Sequence, residues 1–130
     1  MAGCVLRLCG TTFRINEFLL GSVLVPCKVW HVGDQTRPGR PASTSAGFNV
    51  TVSEADDLPS QVADAIEFLR RNHADLLRLS NMPSVDALVL DFGIPRRDVV
   101  GQFDEFPVAL VRAAGELRMS LALSQYSTSG

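Results

Sequence analysis

The stretch "GFNVTVSEADDLPSQVADAIEFL", residues 47–69, changes its hydrophobic period halfway along. Over its first seven residues, Phe48, Val50 and Val52 alternate with Asn49, Thr51 and Ser53. A period of two is that of a strand with one face in a core and the other wet. From Leu58 the period lengthens. Leu58, Val62, Ala65, Ile66, Leu69, His73, Leu76 and Leu77 recur at three- and four-residue spacing. That stripe predicts a helix from about Leu58 to Leu79 with one apolar side to bury. Asp57 stands where a cap belongs, Pro59 fits only a first turn, and Asp64 complements the helix dipole nearby. Glu67 and Arg71 form an i,i+4 pair on the wet side, and Asn81 and Pro83 end the helix. A half-wet strand followed at once by an amphipathic helix points to a sheet covered by helices on one side.

The flanks extend this pattern. Upstream, "CVLRLC" reads as a strand with Leu6 and Leu8 on one face and Arg7 on the other. "NEFLLG" reads as a short helix with Asn16 as its cap and Gly21 as a left-handed stop. Val25 to Val32 reads as a strand, with Pro26 near its start as at a sheet edge. Downstream, Leu88, Leu90 and Phe92 form a strand that turns at "GIPRR" and returns through Val99, Gly101 and Phe103, a hairpin. Pro107 opens a short helix through Ala114, with Gly115 as its stop. A last strand alternates Leu117, Met119, Leu121 and Leu123 with Arg118, Ser120, Ala122 and Ser124.

This order predicts an α+β fold: a mainly antiparallel sheet of about six strands, with one long and two short helices packed on one face. Residues 1–130 are expected to form a single domain, with a flexible loop over 34–46 and a frayed tail over 127–130.

The composition narrows the function. At 46% hydrophobic and 20% charged residues, the chain has the balance of a globular domain. A net charge of −2 argues against a general binder of nucleic acid or of acidic membranes. No apolar run reaches the length of a membrane span. Ala2-Gly3-Cys4 has the letters of a lipoprotein cleavage site, but no basic and apolar segments precede it, so no leader is expected. The three cysteines form no CxxC pair. Cys4 and Cys9 have opposite parity on one strand, and all three are expected as free thiols in a reducing cytosol. The two histidines, His31 and His73, lack metal-ligand spacing, so neither a metal nor a cofactor is expected.

Lys28, Trp30, His31, Arg37 and Arg40 bring cations and an aromatic surface into one region, the chemistry that holds a carboxylate or a phosphate. Strand parity sets Lys28 and Trp30 on one face and His31 on the other. The plainer reading is a Trp packed over the core edge beside solvated arginines. "GDQTRPGR" lacks the spacing of a phosphate loop. Asp91, Asp104 and Glu105 would meet at the rim of the expected hairpin beside Arg96 and Arg97, as an acid–base pair or as solvated ion pairs.

Leu20-Gly21, Pro26, Trp30, Gly33-Asp34 and Gly47-Phe48, with a long helix and further strands after them, resemble family 4279 of the bacterial domains of unknown function. The resemblance implies an α+β domain with no assigned catalytic residues, some of whose members look like immunity proteins of toxin systems. It carries the expectation of a small cytoplasmic bacterial module that binds a protein partner, of immunity or regulatory type. Self-association is compatible with that expectation. The alternative is a small enzyme or anionic-ligand-binding domain working in the crevice beside the Trp30 loop.

Overall fold

Strand β1 (Gly3–Gly10) runs through the middle of one sheet in the computed structural model, which describes residues 2–35 and 37–127. The elements that follow in the chain are α1 (Ile15–Leu20), β2 (Lys28–Trp30), β3 (Ala46–Ser53), α2 (Leu58–Arg71), α3 (His73–Ser80), β4 (Ala87–Pro95), α4 (Val108–Glu116) and β5 (Ser120–Tyr126). The strand order is β2-β3-β1-β4-β5. β3 and β4 both run antiparallel to β1, so they are parallel to each other, and α2 and α3 carry the chain across β1 between them.

Register explains which face is dry. Leu6 lies opposite Val50 and Leu90, and Leu8 opposite Phe48 and Leu88, and all six are buried. Onto this face pack Leu58, Val62, Ala65 and Leu69 of α2, Leu76 and Leu79 of α3, and Leu110 and Ala114 of α4. Phe13, Phe18 and Phe48 close one end, with ring centroids 6.0–6.3 Å apart. The helices therefore form a second layer on one side. The other side carries Val5, Arg7, Asn49, Thr51, Val89 and Asp91, and none of the described helices packs on it.

Asp57 caps α2 as the sequence predicts, accepting the Ser60 N–H at 2.9 Å. Gln61 is fully buried, and its Nε2 donates to the carbonyls of Ala55 (2.8 Å) and Gly93 (2.9 Å), tying α2 to β4. The register between β1 and β3 slips at Cys4/Val5, where Cys4 faces Ser53 and Val5 faces Thr51. Val52 is thus a bulge, and the parity reverses after it. Ser53, expected outward, is buried, and its hydroxyl donates to Asp64 at 2.6 Å.

Several expectations are corrected. The helix expected over 58–79 breaks at Asn72, whose N–H and Nδ2 both bond the Phe68 carbonyl at 3.0 Å. The break shifts the stripe, so His73 is exposed, Leu77 is 41% exposed, and Leu79 is buried instead. The described residues hold five strands and four helices, not six and three. The missing strand is the return arm of the expected hairpin. Residues 96–107 are irregular, with Val100 and Phe103 fully or almost fully exposed. The Gln102 side chain takes the Arg97 N–H at 2.7 Å and donates to the Pro95 carbonyl at 3.3 Å, doing for the end of β4 what a paired strand would have done. β4 pairs instead with β5, in parallel, after the α4 crossover, while the other three pairings are antiparallel.

Smaller corrections follow the same logic. Arg14, not Asn16, holds the N-cap position of α1, and Gly21 ends α1 at φ −106°, outside the left-handed region. Gly115 lies inside α4, and Arg118 makes the left-handed turn (φ 56°) after which β5 starts at Ser120. Of the tail expected to fray, residues 128–130 lie outside the described residues, as does Thr36 of the loop.

Candidate binding site

The site lies on the uncovered side of the sheet, where β2, β3 and β1 run side by side. Pairing sets Asn49 opposite Lys28 on one side and opposite Arg7 on the other. These three side chains therefore share one row, on strands about 4.8 Å apart. In the next row Gly47 lies between Trp30 and Cys9. A Cβ on Gly47 would come 2.6 Å from Trp30 Cζ2 and 2.2 Å from the Leu8 carbonyl oxygen. Only a glycine lets the indole settle onto the sheet here. Lys28 Nζ lies 5.9 Å from the indole centroid, and Trp30 Nε1 donates to Ser45 Oγ at 3.4 Å.

β2 is shorter than the expected Val25–Val32. Pro26 has no N–H for the ladder, and Gly33 turns the chain at φ 92°. The connection to β3 is nonetheless tied at its base. Gly33 N–H donates to the Ser43 carbonyl (2.8 Å), Ser43 N–H to the Asp34 carbonyl (2.7 Å), and the Asp34 carboxylate accepts the His31 N–H at 2.7 Å. Beyond that base the described part of the loop is exposed as expected, and Gly39 turns it at φ 80°. Residues 40–45 stand as a wall beside the sheet. The hollow between wall and sheet has a volume of about 640 Å³, and its lining includes Arg7, Lys28, Trp30, Arg40, Asn49 and residues 43–45.

Three cations face this hollow against one carboxylate, that of Asp34. Arg7 is held from the β4 side, its guanidinium 2.6 Å from Asp91, which also accepts the Ser124 hydroxyl at 2.7 Å. In the middle of the row, Asn49 Oδ1 is buried without a hydrogen-bond partner. A buried polar atom left unpaired is a standing cost that a ligand or water can remove.

The structure brings together three of the five residues singled out in the sequence: Lys28, Trp30 and Arg40. His31 points elsewhere, as its parity requires. Its Nε2 lies 3.1 Å from Asn16 Oδ1, on a separate hollow of about 470 Å³. Arg37 is exposed and does not line the main hollow. The three rim carboxylates do not meet, because the hairpin that would have joined them is absent. Asp91 is engaged by Arg7 and Ser124, Asp104 by Arg97 (3.5 Å) and Gln102 (3.2 Å), and Glu105 is exposed in the loop before α4.

Arg7 and Asn49 escape a reading that follows one segment at a time, because they reach the site only through strand pairing. The one available signal is Arg7 between Leu6 and Leu8, a cation on the wet face of an otherwise apolar strand. Arginine and lysine around an indole face can hold a carboxylate or phosphate by charge-assisted hydrogen bonds.

Among the described residues no helix is long and apolar enough to cross a membrane, and no three of His, Cys, Asp and Glu cluster as metal ligands would. Comparison with protein-family models, with curated proteins and with solved structures gives no match to this chain, so the reading of the hollow rests on its own residues.

Proposed function

We propose that this chain is a binding module and that the hollow beside Trp30 receives an acidic segment of a partner protein. The observation that supports this reading is the Lys28–Asn49–Arg7 row. It sets one cation on each side of Asn49, whose unpaired Oδ1 can accept a backbone N–H of an extended chain, beside the Trp30 indole. Aromatic and arginine side chains dominate the energetics of protein interfaces. A shallow hollow between one wall and the sheet accepts an extended chain more readily than it encloses a substrate. The reading fits the resemblance to bacterial family 4279, and a cytoplasmic role as an immunity-type or regulatory partner belongs to the same proposal.

A second reading has its own support. The volume of the hollow falls within the range of small-ligand sites, and Lys28 and Arg40 are exposed on its lining. A small anion, bound or turned over there, would use the same cations.

Selection from a random peptide display library tests the proposal without knowledge of the partner. Enriched peptides are expected to carry Asp or Glu, to bind more weakly as salt rises, and to lose at least tenfold in affinity to Lys28→Glu and Arg40→Glu proteins. Both positions are exposed, so neither change disturbs the core. Trp30 is the only tryptophan, so its emission reports occupancy directly. Peptides without acidic residues, or binding indifferent to both reversals, would overturn the proposal. An emission change produced by inorganic phosphate alone, with no acidic peptide enriched, would favour the small-anion reading instead.

A further inference from the structure

The two edges of the sheet are treated differently. β2 is three residues long, carries the exposed Lys28 and follows Pro26. Short length, a lysine and a proline are the devices by which proteins keep an edge from pairing with a foreign strand. β5, at the opposite edge, has none of them. Its seven residues, "SLALSQY", include no proline and no charge. Ser120, Leu123, Ser124 and Gln125 are exposed, and among the described residues no further strand pairs with β5. As the last strand, it turns the N–H and carbonyl groups of alternate residues away from β4.

We propose that the free edge of β5 pairs antiparallel with the same edge of a second copy of this chain, giving a continuous ten-stranded sheet. Three features favour a second copy over an unrelated strand. First, an antiparallel pair of identical strands is two-fold symmetric, and β5 is self-complementary in that arrangement. Centred on Leu123, the pairing sets Ser120 opposite Tyr126, Leu121 opposite Gln125 and Ala122 opposite Ser124, with no charge facing a charge. Second, Leu121 and Leu123 share the helix-covered side with Leu90 and Phe92, their partners on β4. Leu123 is 38% exposed as a single chain and would meet its own copy across the axis. α4 on the same side leaves Val108 and Val111 exposed, extending the apolar surface near this edge. Third, the assembly closes. Once the two β5 edges are joined, both outer edges are β2 strands, which are guarded, so growth stops at two chains.

Light scattering coupled to size exclusion, over protein concentrations from micromolar to sub-millimolar, tests the proposal. The expected species at the upper end has twice the 14.1 kDa of one chain. Leu123→Lys places two like charges across the axis and is expected to raise the dimer dissociation constant at least tenfold while leaving the monomer's circular dichroism unchanged. Leu123→Cys, made with Cys27→Ser to remove the exposed native thiol, is expected to form an intermolecular disulfide under mild oxidation without reductant. This second variant needs no disruptive change and reads the register directly. A chain that is monomeric throughout the series, a dimer unaffected by Leu123→Lys, or a dimer in which Leu123→Cys fails to cross-link would each overturn the proposal.

Discussion

Gly47→Ala is the sharpest probe of how the site is built. The new methyl would enter at 2.2 Å from the Leu8 carbonyl oxygen, 2.6 Å from Trp30 Cζ2 and 2.8 Å from Cys9 Cβ, all far inside contact distance. Alanine gains about 0.5–1 kcal/mol over glycine in a strand, through lower entropy of the unfolded chain. Overpacking costs about 1–3 kcal/mol. One of the clashing atoms is backbone of the central strand and cannot swing aside, so the upper part of that range applies, and the net loss is expected at about 2 kcal/mol. The indole must also lift from the sheet. Urea unfolding followed by circular dichroism gives the stability, and tryptophan emission gives the position of the ring. In a Trp30→Ala background the Cζ2 clash is gone while the Leu8 clash stays, so the two substitutions should couple by at least about 0.5 kcal/mol. A stability change under about 0.5 kcal/mol together with an unmoved emission maximum would refute the argument that Gly47 seats Trp30.

Three further outcomes are expected. Leu69, 2% exposed between α2 and the sheet, should cost about 2–5 kcal/mol when cut to Ala, measured as a shift in the denaturant midpoint at constant slope. The Asp57 carboxyl is held below the ordinary carboxylate range chiefly by the backbone N–H of Ser60. A carboxyl depressed in the folded state stabilises the fold above its unfolded pKa, and that contribution is lost as pH falls through the folded one. Asp57→Asn keeps a cap acceptor without a titrating group and should flatten the acid side of the stability–pH curve; an unchanged acid slope would count against the cap. Cys4 is fully buried, and burial first, then the nearby Asp91 and Asp64 carboxylates, push its thiol up to about 12. In native protein a thiol reagent should therefore modify the exposed Cys27 first and leave Cys4 until unfolding, after which all three cysteines should react. Fewer than three in denaturant would reveal a disulfide.

What could be read from sequence was what local periodicity controls. The alternation in Phe48-Asn49-Val50 placed β3, and the stripe through Leu69 together with Asp57 placed the start of α2. The break at Asn72 was hidden because the helix resumes at once and Leu76, a member of the predicted stripe, stays buried after it. The hairpin failed for a different reason. "VVGQF" alternates like a strand, but alternation says nothing about which strand is available to pair, and Gln102 satisfies the β4 end locally. Parallel pairing of β4 with β5 depends on a crossover, and its contacts are remote in sequence. The site shows the same division. Parity alone put Lys28 and Trp30 together and sent His31 away, whereas Arg7 and Asn49 joined them only through the register of β1, β3 and β2.

That division follows from the two-layer build. The helices cover the middle of one face of the sheet, so a broad binding surface made by the central strands lies on the other. On that face the polar residues of neighbouring strands are brought into rows, and a row is richer chemically than any one strand. Arg7 alone would be a solvated cation with one acidic partner, Asp91. Beside Asn49 and Lys28 it becomes part of a polar row three strands wide with a cation at each end. The 31–45 connection gives that row its wall, and its tied base, Gly33 to Ser43 and Ser43 to Asp34, fixes where the wall stands. The prolines, glycines and hydroxyl residues that disqualify the loop as a strand are thus what lets it leave the sheet plane and return. The break in strand pattern between Trp30 and Ala46 is the structural condition for the hollow.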